Sequence, residues 1–214
     1  GVLVTLALVL GLLTSAAVAL WQAQVAREHA HRAEATRDFL LGVFKSAQDG
    51  LQEDEKPTPQ ALVSIAAKKL DLDSTLTAST RADFLSALGD VARFSNDAAA
   101  ALPLYERAIT LRTETRHLNA SDSRARLRDE VMRAMTLARL GQAVKAEAAL
   151  RPHMDAIRAT TDATTVDGVW AYADALGELG RFDEYLHGME EARRIAAKVS
   201  SLDASKVLII DSSY

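Results

Sequence analysis

The sequence predicts an all-α protein: one N-terminal transmembrane helix continuing into a juxtamembrane helix, then an α-solenoid of about three helix pairs. Three observations carry this expectation. The 214 residues are 49% hydrophobic but only 5% aromatic, with 10 glycines and 4 prolines, and Ala and Leu with interspersed charges suit helices packed on helices. Residues 2–20, VLVTLALVLGLLTSAAVAL, hold no charge and no proline. Short turn sequences recur between amphipathic stretches in the second half of the chain, which is the signature of stacked helical units.

Each element follows from local chemistry. At about 1.5 Å per residue the apolar run spans roughly 28 Å as a helix, close to the hydrocarbon thickness of a bilayer. Trp21 follows at the headgroup level and the first charge is Arg27, so residues 1–21 are assigned as a transmembrane helix. A signal peptide would begin with a basic stretch and carry a shorter apolar core; with Gly1 first and no initiator methionine, the chain reads as cut from a longer protein. Residues 22–48 lack proline, are rich in helix formers and place Glu28 and Arg32 as an i,i+4 pair, which predicts a juxtamembrane helix. Asp49-Gly50 stops it, and residues 49–57 form an acidic linker. Thr58 is the expected N-cap with Pro59 at the first helical position, and Leu62, Ile65, Ala66 and Leu70 fall at core spacing behind it.

From there the pattern repeats. Turns are expected at Ser95-Asn96-Asp97, Leu140-Gly141-Gln142 and Leu179-Gly180-Arg181, each between two amphipathic helices, at intervals of 45 (96 to 141) and 39 (141 to 180) residues. The threonine pairs Thr160-Thr161 and Thr164-Thr165 read as a loop between units. Residues 200–214 end in KVLIIDSSY, whose apolar opening is the reverse of a solenoid cap and predicts the start of a further, truncated repeat.

These units resemble the tetratricopeptide repeat. With Ala82 at the first position, the family's apolar and small positions fall on Leu85, Leu88, Gly89, Ala101, Tyr105 and Ala108, while Ala92 and Thr113 depart from the usual aromatic and proline. A second unit has Ala134, Leu137, Ala146 and Leu150 in place, with Arg133 and His153 off pattern; a third has Ala173, Leu176, Gly180, Phe182 and Ala192. The resemblance implies a repeat domain over residues 58–199, with repeats at about 82–115, 127–160 and 166–199. The whole order, with RDFLLGVFKSAQ, the TPQAL helix, LGDVARF and ALPLYERAITLR, is similar to the region that follows the kinase domain in proteobacterial membrane-anchored serine/threonine protein kinases. That resemblance implies a signalling module in the inner (plasma) membrane, single-pass, with the repeats in the periplasm. Arg27, Arg32 and Arg37, taken alone, would favour the cytoplasm. Some membrane-bound winged-helix transcriptional regulators carry similar repeats and supply the alternative parent.

No chemistry of the segment's own is expected. Gly-rich phosphate loop, His-Arg-Asp and Asp-Phe-Gly are all missing from the sequence, as are G-x-S-x-G and S-x-x-K. His29 and His31, two apart on a helix, face different directions, and there is no cysteine, so neither metal nor other cofactor is predicted. A net charge of −4 gives no reason to expect nucleic acid. The partners expected are the membrane, through residues 2–20, and a protein or peptide. In the repeat family the inner face of each first helix lines a groove; here it would include Asp83, Asp90 and Arg93, then Arg128, Met132, Met135 and Arg139, then Trp170, Asp174 and Glu178, while Met132, Met135 and Trp170, each taken singly, read rather as inter-repeat core. Ala7, Gly11, Ser15 and Ala19 recur every four residues and would let two membrane helices approach closely, so a homodimer is a further expectation.

Overall fold

The computed structural model describes residues 58–114 and 120–199. Within them every regular element is helical and there is no strand. The helices are α1 (Pro59–Leu72), α2 (Ala78–Phe94), α3 (Ala98–Glu114), α4 (Ala120–Arg139), α5 (Ala143–Leu150), α6 (Met154–Ala159), α7 (Ala163–Glu178) and α8 (Phe182–Ala196), with a single 3-10 turn, Arg151–His153, between α5 and α6.

Helix starts follow the expected capping chemistry, beginning with α1 and α2. The Thr58 hydroxyl accepts from the Ala61 N–H at 3.2 Å with Pro59 first in the helix, and Thr77 does the same for the Thr80 N–H at 3.1 Å. Of the apolar positions assigned to α1, Ala66 and Leu70 are buried, joined by Val63, whereas Leu62 and Ile65 are only partly covered. The threonine-rich stretch is not all loop. Asp162 accepts from the N–H groups of Thr164 and Thr165 at 2.9 and 3.4 Å, so both threonines belong to the first turn of α7. The second helix of the middle pair is likewise broken. Pro152 has no N–H to give, and its ring would clash with the carbonyl four residues back, so α5 stops at Leu150 and the chain passes through the 3-10 turn into α6.

The turns at 95–97, 140–142 and 179–181 share one geometry. In each, a single residue is left-handed: Asn96 at φ 59°, Gly141 at 69° and Gly180 at 77°. The residue after it donates its N–H back into the helix, Asp97 to the Ala92 carbonyl, Gln142 to Leu137 and Arg181 to Leu176, each at 2.9 Å. Asn is among the few side chains that tolerate this region, which is why the first turn works without glycine.

Such tight turns fold each helix back on its predecessor, and α2 packs on α3, α4 on α5, and α7 on α8. The pairs carry small and large buried residues at equivalent positions. Gly89, Ala134 and Ala173 each precede their left-handed residue by the same interval; Tyr105, Leu150 and Met189 follow it by the same interval and are at most 2% exposed. A Cβ on Gly89 would lie 2.8 Å from the Tyr105 ring, and one on Gly188 would lie 2.7 Å from the Ala173 Cβ. Successive pairs pack as well, α3 on α4, and both α4 and α5 on α7.

A buried ionic cluster joins the first pair to α4. Arg112 of α3, 3% exposed, donates to Asp129 at 2.9 Å and to Asp83 at 2.7 Å, with Asp122 at 3.8 Å. Ser86 of α2 donates to Asp129 at 2.8 Å, and Ser79 to Asp122 at 2.8 Å. Burial disfavours the Arg112 charge, but its hydrogen bonds to Asp83 and Asp129 outweigh that and raise its pKa further. Burial also pushes the Asp129 carboxyl above its usual range, against the pull of Arg112 and Ser86. Arg112 is shared among three carboxylates, and a further cation, Arg128, lies 3.7 Å from Asp129, so burial still dominates at that acid.

The expected placement as a single-pass inner-membrane protein with periplasmic repeats is corrected. Among the described residues no helix is long and apolar enough to cross a membrane. The longest, α4, has 20 residues but carries Arg124, Arg126, Arg128, Asp129, Glu130, Arg133 and Arg139, whose charges would be costly in hydrocarbon. The expected transmembrane and juxtamembrane helices, the linker at 49–57, the stripe of Ala7, Gly11, Ser15 and Ala19, and the truncated repeat at 200–214 lie outside the described residues.

Gly89→Ala should destabilise the protein by about 1–3 kcal/mol in denaturant unfolding, because the added methyl meets a ring held at its far end by Asp90. Tyr105→Leu in the same chain should recover part of that loss. Arg112→Ala should cost about 3–5 kcal/mol by leaving the buried Asp129 without its hydrogen-bonded cation, Arg128 at 3.7 Å being half-exposed and more distant, and Arg112→Met combined with Asp129→Leu should be far milder.

Candidate functional site

The first helices of the three pairs, α2, α4 and α7, enclose a cavity of about 210 Å³ lined by Arg93, Met135, Ala138, Arg139, Trp170, Ala171, Asp174 and Glu178. The spacing explains the lining. Met135, Ala138 and Arg139 stand at i, i+3 and i+4 on α4, and Trp170, Asp174 and Glu178 form an i, i+4, i+8 stripe on α7, so each set shares one helix face. Ala138 and Ala171 keep the floor open, since larger side chains there would fill it.

Trp170 is partly buried and packs against the core formed by Val166 and Ala196, leaving part of its ring to the cavity. Its indole nitrogen is buried and has no hydrogen-bond partner. The two cations of the wall each make a contact within the protein, although the Arg93 Nε is buried without a hydrogen-bond partner. The Arg93 guanidinium lies 4.7 Å from the Phe94 ring centroid, and the Arg139 guanidinium donates to the Arg93 carbonyl at 3.3 Å. The two acids differ: among the described residues neither Asp174 nor Glu178 has an ion pair or hydrogen bond. Burial, then the neighbouring Glu178 charge, raises the Asp174 pKa above its ordinary value.

Of the residues the sequence assigned to this face, Arg93, Met135, Arg139, Trp170, Asp174 and Glu178 line the cavity. Met132 is 5% exposed and belongs to the core. Arg128 is bound instead to Asp90 at 2.6 Å, and Asp90 also accepts from Tyr105 at 2.7 Å. Asp83 is held by Arg112. Ala138 and Ala171 were missed; the signal was their helical register beside Met135 and Trp170. The Arg112 cluster was missed as well, although an arginine continuing the buried series Ala101, Tyr105 and Ala108 is visible as a charge on an apolar face.

A larger cavity, about 440 Å³, opens between α4 and residues 153–160, walled by Ser123, Arg124, Arg126, Leu127, Glu130, His153, Ala156, Ala159 and Thr160. Size alone would favour it, but it has no aromatic anchor and gathers none of the residues assigned to the inner face. Among the described residues no group of three or more His, Cys, Asp or Glu is placed to hold a metal ion. In comparison with known proteins, no family model and no curated protein matches the chain.

The raised Asp174 pKa has a sign that can be tested. A carboxyl whose folded-state pKa exceeds its unfolded value favours folding below the unfolded value and loses that contribution as pH rises through the folded one. Asp174→Asn should therefore give a small rise in melting temperature at neutral pH, and the gain should shrink toward zero when the melt is repeated well below the ordinary Asp range.

Proposed function

We propose that residues 58–199 form a tetratricopeptide-like stack that binds a peptide segment of a partner protein on the face shared by α2, α4 and α7, as the recognition part of a signalling protein. The observation that carries this is the composition of the 210 Å³ cavity: its walls come from the first helix of each successive pair and from no second helix. In a stack of helix pairs the first helices line the concave side, where extended segments are held. The turn geometry common to 95–97, 140–142 and 179–181, and the buried small and large residues at equivalent distances from each turn, support a repeating unit.

The sequence resemblance gives the module its context, the non-catalytic tail of a serine/threonine protein kinase. Phosphoryl transfer would then belong to the kinase domain, and this segment would act by binding alone.

Random peptides displayed on phage and selected against the full chain test the reading. Selected binders should be weakened about tenfold or more by Ala138→Arg, which fills the cavity, and left unchanged by Val144→Arg on an exposed face of α5. Equal sensitivity to both substitutions would mean that binding lies elsewhere.

A further inference from the structure

Within the proposed groove, the two walls of the cavity differ in what they leave unsatisfied. On the basic side Arg93 rests on the Phe94 ring, with its Nε buried and without a hydrogen-bond partner, and Arg139 donates to the Arg93 carbonyl. The opposite side holds Asp174 and Glu178, one helical turn apart, with no cation on either. Like charges at i,i+4 repel, and half-burial of Asp174 raises that cost. Immediately beside them on the same stripe stands Trp170, an aromatic face partly open to the cavity, and across from it Met135 supplies a polarizable, unbranched wall. An aromatic face next to two uncompensated carboxylates is the chemistry that receives an organic cation on an apolar stem.

We propose that this cavity is a pocket for a basic side chain, a lysine or arginine of the bound segment, with its stem against Met135 and Trp170 and its cationic head between Asp174 and Glu178. The inference rests on the peptide-binding reading above and adds the identity of the anchor residue. It accounts for two features together. The acid pair is left unneutralised because the compensating charge arrives with the ligand, and Trp170 is kept at the cavity because its ring is the second half of the cation site. An acidic anchor is the weaker fit, since Arg139 already donates to the Arg93 carbonyl and Arg93 offers only a buried Nε beyond its contact with the Phe94 ring, whereas both carboxylates lack any hydrogen bond or ion pair among the described residues.

Trp170 also supplies the readout. The chain has two tryptophans, so in a Trp21→Phe background Trp170 is the sole indole reporter. The probe is the random phage-displayed peptide library, selected on the full chain, followed by titration of synthetic copies of the selected peptides against Trp170 fluorescence. Selected sequences should be enriched in lysine or arginine beside apolar residues. Asp174→Asn with Glu178→Gln, which preserves shape and removes both charges, should weaken them about tenfold or more and erase the preference for a basic residue. Replacing the basic residue of the peptide by norleucine should cost a similar factor against the unaltered chain and nothing against the double variant. Binders that Ala138→Arg weakens but that show no basic enrichment, or that bind the double variant equally well, would overturn the basic anchor and leave the groove standing. No selected binders, or binders indifferent to Ala138→Arg, would overturn both.

Discussion

The contact on which the rest of the structure depends is the close approach of two paired helices where one of them carries a glycine. Gly89 lies under the Tyr105 ring, and Gly188 presses on Ala173, at distances that leave no room for a further carbon. Because the backbones approach this closely, each pair buries its apolar stripe against its own partner and still leaves a second surface for the neighbouring pair. The left-handed residue at each turn makes the approach possible, since it reverses the chain within a few residues and returns the freed carbonyls to hydrogen bonds. Asn96, Gly141 and Gly180 are thus part of the packing even though their own side chains, where present, touch little.

Between the first pair and α4 the join is ionic. Arg112 occupies a position on α3 whose equivalents further along, Ile157 and Ala196, are apolar and buried. A guanidinium at such a place is costly to desolvate, and it is tolerated because Asp83, Asp122 and Asp129 surround it and Ser86 and Ser79 complete the acids' hydrogen bonds. An apolar side chain would give comparable cohesion, but it would not fix the register of α4 on α2 and α3 with directional bonds. That register matters for the cavity, because Met135, Ala138 and Arg139 ride on the C-terminal half of the same helix whose middle is clamped at Asp129.

The cavity wall shows the opposite policy. Where the Arg112 cluster satisfies nearly every buried polar group, the α7 wall leaves an acid pair and an indole nitrogen without partners. Unfavourable local electrostatics retained beside an aromatic surface is a pattern associated with binding rather than with folding, since stability alone would favour neutral replacements.

Much of this was legible in the sequence because it rests on local rules. The all-helical class follows from composition and periodicity, the Thr58 cap from its neighbour Pro59, the three turns from their Gly and Asn residues, and the small positions Gly89, Ala134 and Ala173 from their place in each unit. Six lining residues of the cavity were also readable, since helix spacing alone puts Trp170, Asp174 and Glu178 on one face. What spacing could not supply was which face meets which helix. Met132 and Met135 look alike in the sequence; only the packed structure sends the first into the core and leaves the second at the cavity. Arg128 stands on the expected face, but Asp90 of another helix claims it. The clamp at Arg112 likewise depends on partners distant along the chain, whereas the break at Pro152 is set by the proline itself. By itself the sequence determined the helices, their turns and their apolar faces, because those are set by residues within a turn or two of one another. The tertiary structure decided which polar groups are paired and which are left open, because that depends on long-range contacts.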